Sequence, residues 1–251
     1  MKLITVKQPG GLDNLCLEER PDPVPGPGEI LVRWHATSLN YHDYLVAIGG
    51  IPVADRRIPM SDGAGEVLAV GQNVNEWKVG DKVMSMFFPF STEGKPSLMK
   101  MMAVMGETVD GCMVEKACLP ATAVTAIPRG YSYAEAATLP CAGLTAWRAL
   151  MVEGGLQAGD TVLIEGSGGM SVLALQLAKA AGARVFATTS SEEKAERLKA
   201  LGAEAVFNYK EDPKWGKTIF KYTGGGVDQV LDVGGGSTMV NLSKQPELVA
   251  L

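Results

Sequence analysis

Apolar and polar positions follow two different rhythms along this chain of 251 residues. In the first half, short β-like runs are set off by Gly and Pro. They are Glu29-Ile30-Leu31-Val32-Arg33-Trp34 after the turn segment Pro21 to Gly28, Glu66-Val67-Leu68-Ala69-Val70 ending at Gly71, and Asp81-Lys82-Val83-Met84-Ser85-Met86 after Gly80. Strands spaced in this way predict a small β-barrel or curled sheet. The second half alternates. An apolar run, Thr161-Val162-Leu163-Ile164, leads through a glycine turn into the helical repeat Val172 to Ala180, and then into a second apolar run, Arg184 to Thr188. Further strands are expected near 205–207 and 228–233, as a parallel sheet with crossover helices requires. Between the halves, Tyr133 to Leu150 reads as helical with an interruption at Pro140. The composition shifts near Ile127-Pro128, which predicts an α/β protein with domains 1–126 and 127–251.

The glycine turn is the strongest chemical signal. Gly166-Ser167-Gly168-Gly169-Met170-Ser171 sits between strand and helix, where backbone N–H groups and the helix dipole favour a pyrophosphate. It departs from G-x-G-x-x-G only at Ser171, a position that serves close helix–strand packing and tolerates another small residue. NAD binders place Asp or Glu about 20 residues further on, against the ribose hydroxyls. Here that strand ends in Thr188-Thr189-Ser190-Ser191 and is followed by Lys194 and Arg197. Hydroxyls with a cation suit the 2′-phosphate of NADP through charge-assisted hydrogen bonds. Glu192 and Glu193 complicate this, though acids are also favoured at a helix N-terminus by the dipole.

Composition narrows the class. Hydrophobic residues make up 46% of the chain and the net charge is −5, which argues for a sizeable core and against nucleic acid or an anionic membrane as partner. No apolar run approaches the ~20 residues of a membrane span. Met1 to Val6 lacks a signal-peptide pattern, so a cytoplasmic setting is expected. Cys16, Cys112, Cys118 and Cys141 are scattered and fit free thiols better than a disulfide framework. The methionine-rich stretch Ser97 to Met105 reads either as a mobile surface insertion or as an adaptable apolar gate over a pocket.

Several motifs together resemble the medium-chain dehydrogenase/reductase superfamily, in its zinc-independent, quinone-oxidoreductase-like branch. They are Leu39-Asn40-Tyr41-His42-Asp43, Ser61-Asp62-Gly63-Ala64-Gly65-Glu66-Val67, Val79-Gly80-Asp81-Lys82-Val83, Thr138 to Trp147, the cofactor turn, Lys199 to Ala203 and Gly226-Val227-Asp228. The resemblance implies a GroES-like β-barrel followed by a Rossmann-type sheet, and a reductase passing hydride from NADPH to a quinone, an activated C=C bond or a carbonyl. It implies a small-molecule substrate, and a homodimer for a full-length relative. Asn40, Tyr41 and Asp43 fall on the catalytic loop. Asn40 can donate to a carbonyl oxygen; Tyr41 can donate too or form a wall; Asp43 reads as holding the loop. His42 stands where relatives often carry a basic residue and reads as solvated, and Lys116 stands where they often show tyrosine. On the cofactor side, Thr145 and Tyr209 join Gly166 to Ser171, Ser190, Ser191 and Lys194. Zinc-dependent members place Cys, a His-Glu pair and Cys where this chain has Asn40, Ser61-Asp62 and Cys141. A catalytic zinc needs three protein ligands, so no zinc is expected and Cys141 should pack as a small apolar residue.

The six-stranded arrangement of a full dinucleotide fold is not accounted for. Four strands are expected, the last carrying buried Val227, Val230, Leu231 and Val233, and after it come only Gly236 to Leu251 with Pro246. The chain therefore reads as truncated relative to the family. Its fourth strand would present an open edge prone to self-association, and a non-catalytic NADP-binding module or a purely structural role stand as alternatives to an active enzyme.

Overall fold

The computed structural model describes residues 1–92, 94 and 97–233. The backbone divides into two compact units, Met1–Cys141 and Ala142–Leu251. The predicted boundary at 126/127 differs. The helix α3 (Tyr133–Ala136) belongs to the first unit, because Ala136 and Ala137 pack against Ala64.

The first unit holds β1 (Lys2–Val6), β2 (Leu15–Glu19), β3 (Glu29–Ser38), the short helix α1 (Tyr41–Ala47), β4 (Asp62–Val70), β5 (Lys82–Ser85), a helical turn α2 (Leu98–Met101), β6 (Lys116–Pro120) and β7 (Val124–Ala126). β1 and β2 form an antiparallel ribbon, and the others form a five-stranded antiparallel sheet in the order β6-β3-β4-β5-β7. The sheet curls at register shifts in β3, one of them between Trp34 and Ala36. A Cβ on the facing Gly65 would lie 2.0 Å from the Arg33 carbonyl oxygen, so only glycine allows that approach. Alternate residues of the strands, among them Ile30, Val32, Val67 and Val83, point into one core, the period of two expected of a half-buried sheet.

The second unit opens with α4 (Leu144–Trp147), flanked by wider π-type turns at Leu139–Gly143 and Arg148–Glu153. The predicted break at Pro140 is thus a widened turn. A proline removes one i→i−4 bond, and the wider pitch accommodates the loss. Next come β8 (Thr161–Ile164), α5 (Gly169–Ala180), β9 (Arg184–Thr189), α6 (Glu192–Ala200), β10 (Ala205–Asn208), α7 (Trp215–Thr223) and β11 (Gln229–Leu231). The strands are parallel in the order β10-β9-β8-β11, which is the 3-2-1-4 part of a Rossmann sheet. Alternation sorts the side chains to two faces. Val162, Ile164, Val185, Ala187 and Leu231 pack with α5 and with Leu198 of α6. Leu163, Phe186 and Val230 meet Trp215 and Ile219 of α7 on the other face.

In the fourth strand, Val227, Val230 and Leu231 are buried as expected, whereas Val233 is 59% exposed because the pairing with β8 ends at Leu231. The readings that fell on Gly234 to Leu251 lie outside the described residues. Among those described, no helix is long and apolar enough to cross a membrane. The methionine-rich stretch divides in two. Met105 is buried in the first core, while Met99 and Met102 are largely exposed.

Candidate functional site

Two constellations carry chemistry, one in each unit. In the first, Asn40 is the N-cap of α1, and Asp43 at the third helical position returns a carboxylate oxygen to the Asn40 backbone N–H at 2.8 Å. This is the reciprocal arm of a capping box. The other Asp43 oxygen accepts from the Ser61 backbone N–H at 2.9 Å. Asp43 is buried, so α1 is pinned to the start of β4. From there a chain of hydrogen bonds runs inward. Asn40 Nδ2 donates to Ser61 Oγ at 3.1 Å, Ser61 Oγ donates to Asp62 Oδ1 at 2.7 Å, and the Cys141 backbone N–H donates to Asp62 Oδ2 at 2.9 Å. Ser61 and Asp62 are fully buried. Burial pushes the Asp62 carboxyl above its usual value, with the donors from Ser61, Cys141 and Asn40 opposing. The Cys141 thiol is pushed up to about 12, first by burial and then by the charges of Asp62 and Asp43. Cys141 thus serves this cluster through its backbone.

Tyr41 opens α1 and is 75% exposed, its ring 6.0 Å from that of Tyr44. His42 differs from the solvated residue expected. Its Nε2 lies 2.7 Å from Glu107 and its Nδ1 3.6 Å from Asp43, an ion-pair rather than a hydrogen-bond distance, and Phe87 packs edge-on against the ring. Asp43 foremost and then Glu107 raise the histidine's pKa against the opposing effect of burial. Lys116, another position singled out in the sequence, pairs with Asp22.

In the second unit, Gly166 takes φ +80°, a left-handed conformation that favours glycine. Its N–H donates to Thr188 Oγ1 at 3.1 Å, tying the turn to the end of β9. Gly168 caps α5, and the first helical hydrogen bond runs from Val172 N to the Gly168 carbonyl. The N–H groups of Gly168 to Ser171 precede that bond and have no partner within the helix. Among the described residues, Cβ atoms built on Gly168 and Gly169 would meet nothing within 4 Å. Ser171 Oγ donates to the Glu165 carbonyl at 2.8 Å, so serine at the third motif position adds a bond that glycine could not.

Ser191 caps α6 and accepts from Lys194 N. On this helix Arg197 pairs with Glu193 and Lys199 with Glu196, whereas Lys194 has no ion pair among the described residues. Tyr209 N–H donates to the Thr189 carbonyl at 3.0 Å, which brings Tyr209 beside Ser190 and Ser191 at the end of β9. Thr189 Oγ1, next to them, is buried without a hydrogen-bond partner among the described residues. Thr145 lies exposed on α4. Sequence reasoning missed the Ser61–Asp62 link, the His42–Glu107 pair and the separate roles of Thr188 and Thr189. The His42–Glu107 pair and the Thr188 contact join segments 65 and 22 positions apart, the Ser61–Asp62 link between neighbours carries no sequence pattern of its own, and the one advance signal was the cluster of hydroxyl residues ending β9.

Two family models match, the alcohol dehydrogenase GroES-like domain over residues 26–129 and the zinc-binding dehydrogenase model over residues 169–245. A zinc-type alcohol dehydrogenase-like protein of Schizosaccharomyces pombe is 42% identical over 235 residues, covering 91% of this chain and 68% of its own length. The chain belongs to the medium-chain dehydrogenase/reductase family. The acryloyl-coenzyme A reductase of Sulfurisphaera tokodaii is 34% identical over 207 residues, covering 79% of this chain and 61% of its own length. The crystal structure of a protein described as an alcohol dehydrogenase from Sinorhizobium meliloti superimposes with a TM-score of 0.91 at 37% identity, over 99% of this chain and 76% of that one. This family member thus combines a GroES-like unit with a Rossmann-type unit, and it spans about two thirds of the length of the first two relatives.

Proposed function

We propose that this protein is a zinc-free, NADPH-dependent reductase that passes hydride to a small-molecule quinone, activated C=C bond or carbonyl. The observation that carries the reading is the turn opening α5. Its backbone N–H groups, without partners inside the helix, and the space left open over Gly168 and Gly169 among the described residues fit a dinucleotide pyrophosphate. Such a cofactor, when bound, supplies the hydride. Lys194, with Ser190, Ser191 and Tyr209 close by, supports a preference for the 2′-phosphate, since Lys194 is the cation of α6 left without a carboxylate among the described residues. Thr145 is the further residue we assign to the cofactor.

In the first unit, Asn40 is the residue we assign to the substrate oxygen. Its amide donates without carrying charge, and stabilising an oxygen as it becomes negative is the largest single contribution in many enzymes. Tyr41 is exposed, and its O–H is the second donor we assign to the substrate. Asp43 holds the loop. The residues do not fit a catalytic zinc. Both oxygens of Asp62 already accept hydrogen bonds and the Cys141 thiol resists ionisation. No group of three or more His, Cys, Asp or Glu suited to a metal occurs among the described residues. The acryloyl-coenzyme A reductase among the relatives favours the C=C class.

Titration with NADPH and NADH, followed by turnover on a panel of enones, quinones and aldehydes, tests the reading. Tight NADPH binding and oxidation with an enone or quinone is expected. Binding without turnover on any substrate would make the chain a dinucleotide-binding module, and absence of binding would overturn the proposal.

A further inference from the structure

Asn40 is half-buried and its side chain could meet Ser61 through either end of the amide, since nitrogen and oxygen have nearly the same shape. The N-cap position sets the side chain against the backbone N–H of Asp43, and the choice is reinforced from the other side, one residue further in. Ser61 has a single hydroxyl hydrogen. A carboxylate only accepts, so Asp62 Oδ1, 2.7 Å away, takes that hydrogen. Ser61 Oγ is left with lone pairs toward Asn40 and accepts from Nδ2 at 3.1 Å. The amide is planar, so fixing one N–H fixes the direction of the other. Asp62 is itself immobilised. Its second oxygen holds the Cys141 N–H at 2.9 Å and its carbonyl accepts from Thr37 Oγ1 at 2.6 Å. The Ser61 backbone is gripped on both sides, its N–H by Asp43 and its carbonyl by Ser85 Oγ at 3.0 Å. Such fully satisfied buried networks define one geometry.

We infer that Asp62, acting through Ser61 Oγ, is a positioning residue that orients the Asn40 amide so that its remaining N–H, and not its carbonyl, is available to a substrate oxygen. The inference rests on the proposed role of Asn40 where it concerns turnover. The orientation itself does not depend on that role and is read separately.

The orientation is read by ¹H–¹⁵N spectroscopy of the side-chain amide of Asn40, identified by its loss in Asn40→Asp. In the unaltered protein one of the two N–H signals should exchange slowly with solvent. Ser61→Ala should speed that exchange at least tenfold, Ser61→Thr should restore it, and Asp62→Asn should act like Ser61→Ala. In Asp62→Asn the carboxamide keeps one acceptor oxygen and gains a donor NH₂, so Ser61 no longer faces an obligate acceptor and its hydrogen is free to turn toward Asn40. Should Asp62→Asn fail to fold, the Ser61→Ala and Ser61→Thr pair decides alone. Unchanged Asn40 exchange in Ser61→Ala overturns the inference.

Turnover supplies the second readout. Asp62→Asn should lower kcat at least tenfold with the dissociation constant for NADPH unchanged, and should cost nothing further in an Asn40→Ala background. Equal losses in both backgrounds would mean that Asp62 acts independently of Asn40, which overturns the inference. Full activity of Asn40→Ala would instead refute the role of Asn40 while the exchange data still decide its orientation.

Discussion

Replacing Gly168 with alanine separates the fold from the cofactor site. Gly168 sits at φ −78° and ψ 178°, a backbone conformation open to any residue, and an added Cβ meets nothing within 4 Å among the described residues. Two small effects on stability oppose each other. Alanine is a poorer N-cap than glycine by about 1 kcal/mol or less, and the loss of freedom in the unfolded chain returns about 0.4–1 kcal/mol. The net change should lie within about 1 kcal/mol, or roughly 2–4 °C in melting temperature for a chain of this size. The dinucleotide is affected quite differently. The second glycine of the motif is where the backbone meets the pyrophosphate, so a methyl group there occupies the ligand's space. Binding should weaken at least tenfold, about 1.4 kcal/mol, and equally for NADPH and NADH because both carry the pyrophosphate. Gly166→Ala provides the contrast. At φ +80° it forces a left-handed alanine at a cost of about 1–2 kcal/mol, so stability falls along with binding. Thermal melts and fluorescence titrations of the two variants read both quantities. If Gly168→Ala binds either dinucleotide with unaltered affinity, the turn is not the pyrophosphate cradle and the functional reading built on it fails.

Lys194→Ala should weaken NADPH binding tenfold or more while leaving NADH nearly unaffected, since a hydrogen bond to a charged group contributes about 1.5–3 kcal/mol; equal losses for both would show that Lys194 does not read the phosphate. His42 has a raised pKa because Asp43 and then Glu107 favour its charged form. The stability it lends is therefore fully present below the unfolded histidine value of about 6.5 and is lost as pH rises through the higher folded value. Melting temperature measured from pH 6 upward, in steps to about 9, should fall more steeply in the unaltered protein than in Glu107→Gln, and identical slopes would refute the pairing. Protein purified without chelators should contain no stoichiometric zinc, and one tightly held zinc per chain by elemental analysis would overturn the donor-set argument.

The parallel unit was legible because its signals are local. Val162 to Ile164 and Val185 to Ala187 are short apolar runs buried on both faces, and the glycine turn lies between strand and helix in one stretch of sequence. The antiparallel unit was legible only in part. β3, β4 and β5 are punctuated by glycine and proline, but the β1–β2 ribbon and the edge strands β6 and β7 gain their definition from partners far away, as in the register Glu29 with Pro120. The same distance hid the site. Asp43 and Ser61 meet across 18 positions, His42 and Glu107 across 65, and Asp62 and Cys141 across 79. A sequence shows that such residues exist, whereas the pairing that gives each its chemistry is set by how the sheet closes.

The positions at which zinc-dependent relatives carry ligands are not simply vacated in this chain. Asn40, Ser61 and Asp62 form one directed series of hydrogen bonds, and Cys141 completes it with its backbone N–H. A zinc ion would polarise a substrate oxygen through its charge. A fixed amide N–H can do so through its dipole only if its direction is set before the substrate arrives, because a freely turning amide would have to be ordered during the reaction. Burying Asp62 is unfavourable, as its raised carboxyl pKa records, yet an acceptor with no proton of its own is what gives the series a single direction. The buried carboxylate–serine pair thus gives these positions a use that does not call on a metal. A variant with cysteine at position 40 should then disorder the series without recruiting zinc, because Ser61 and Asp62 remain committed to each other; tight zinc in Asn40→Cys by elemental analysis would refute this.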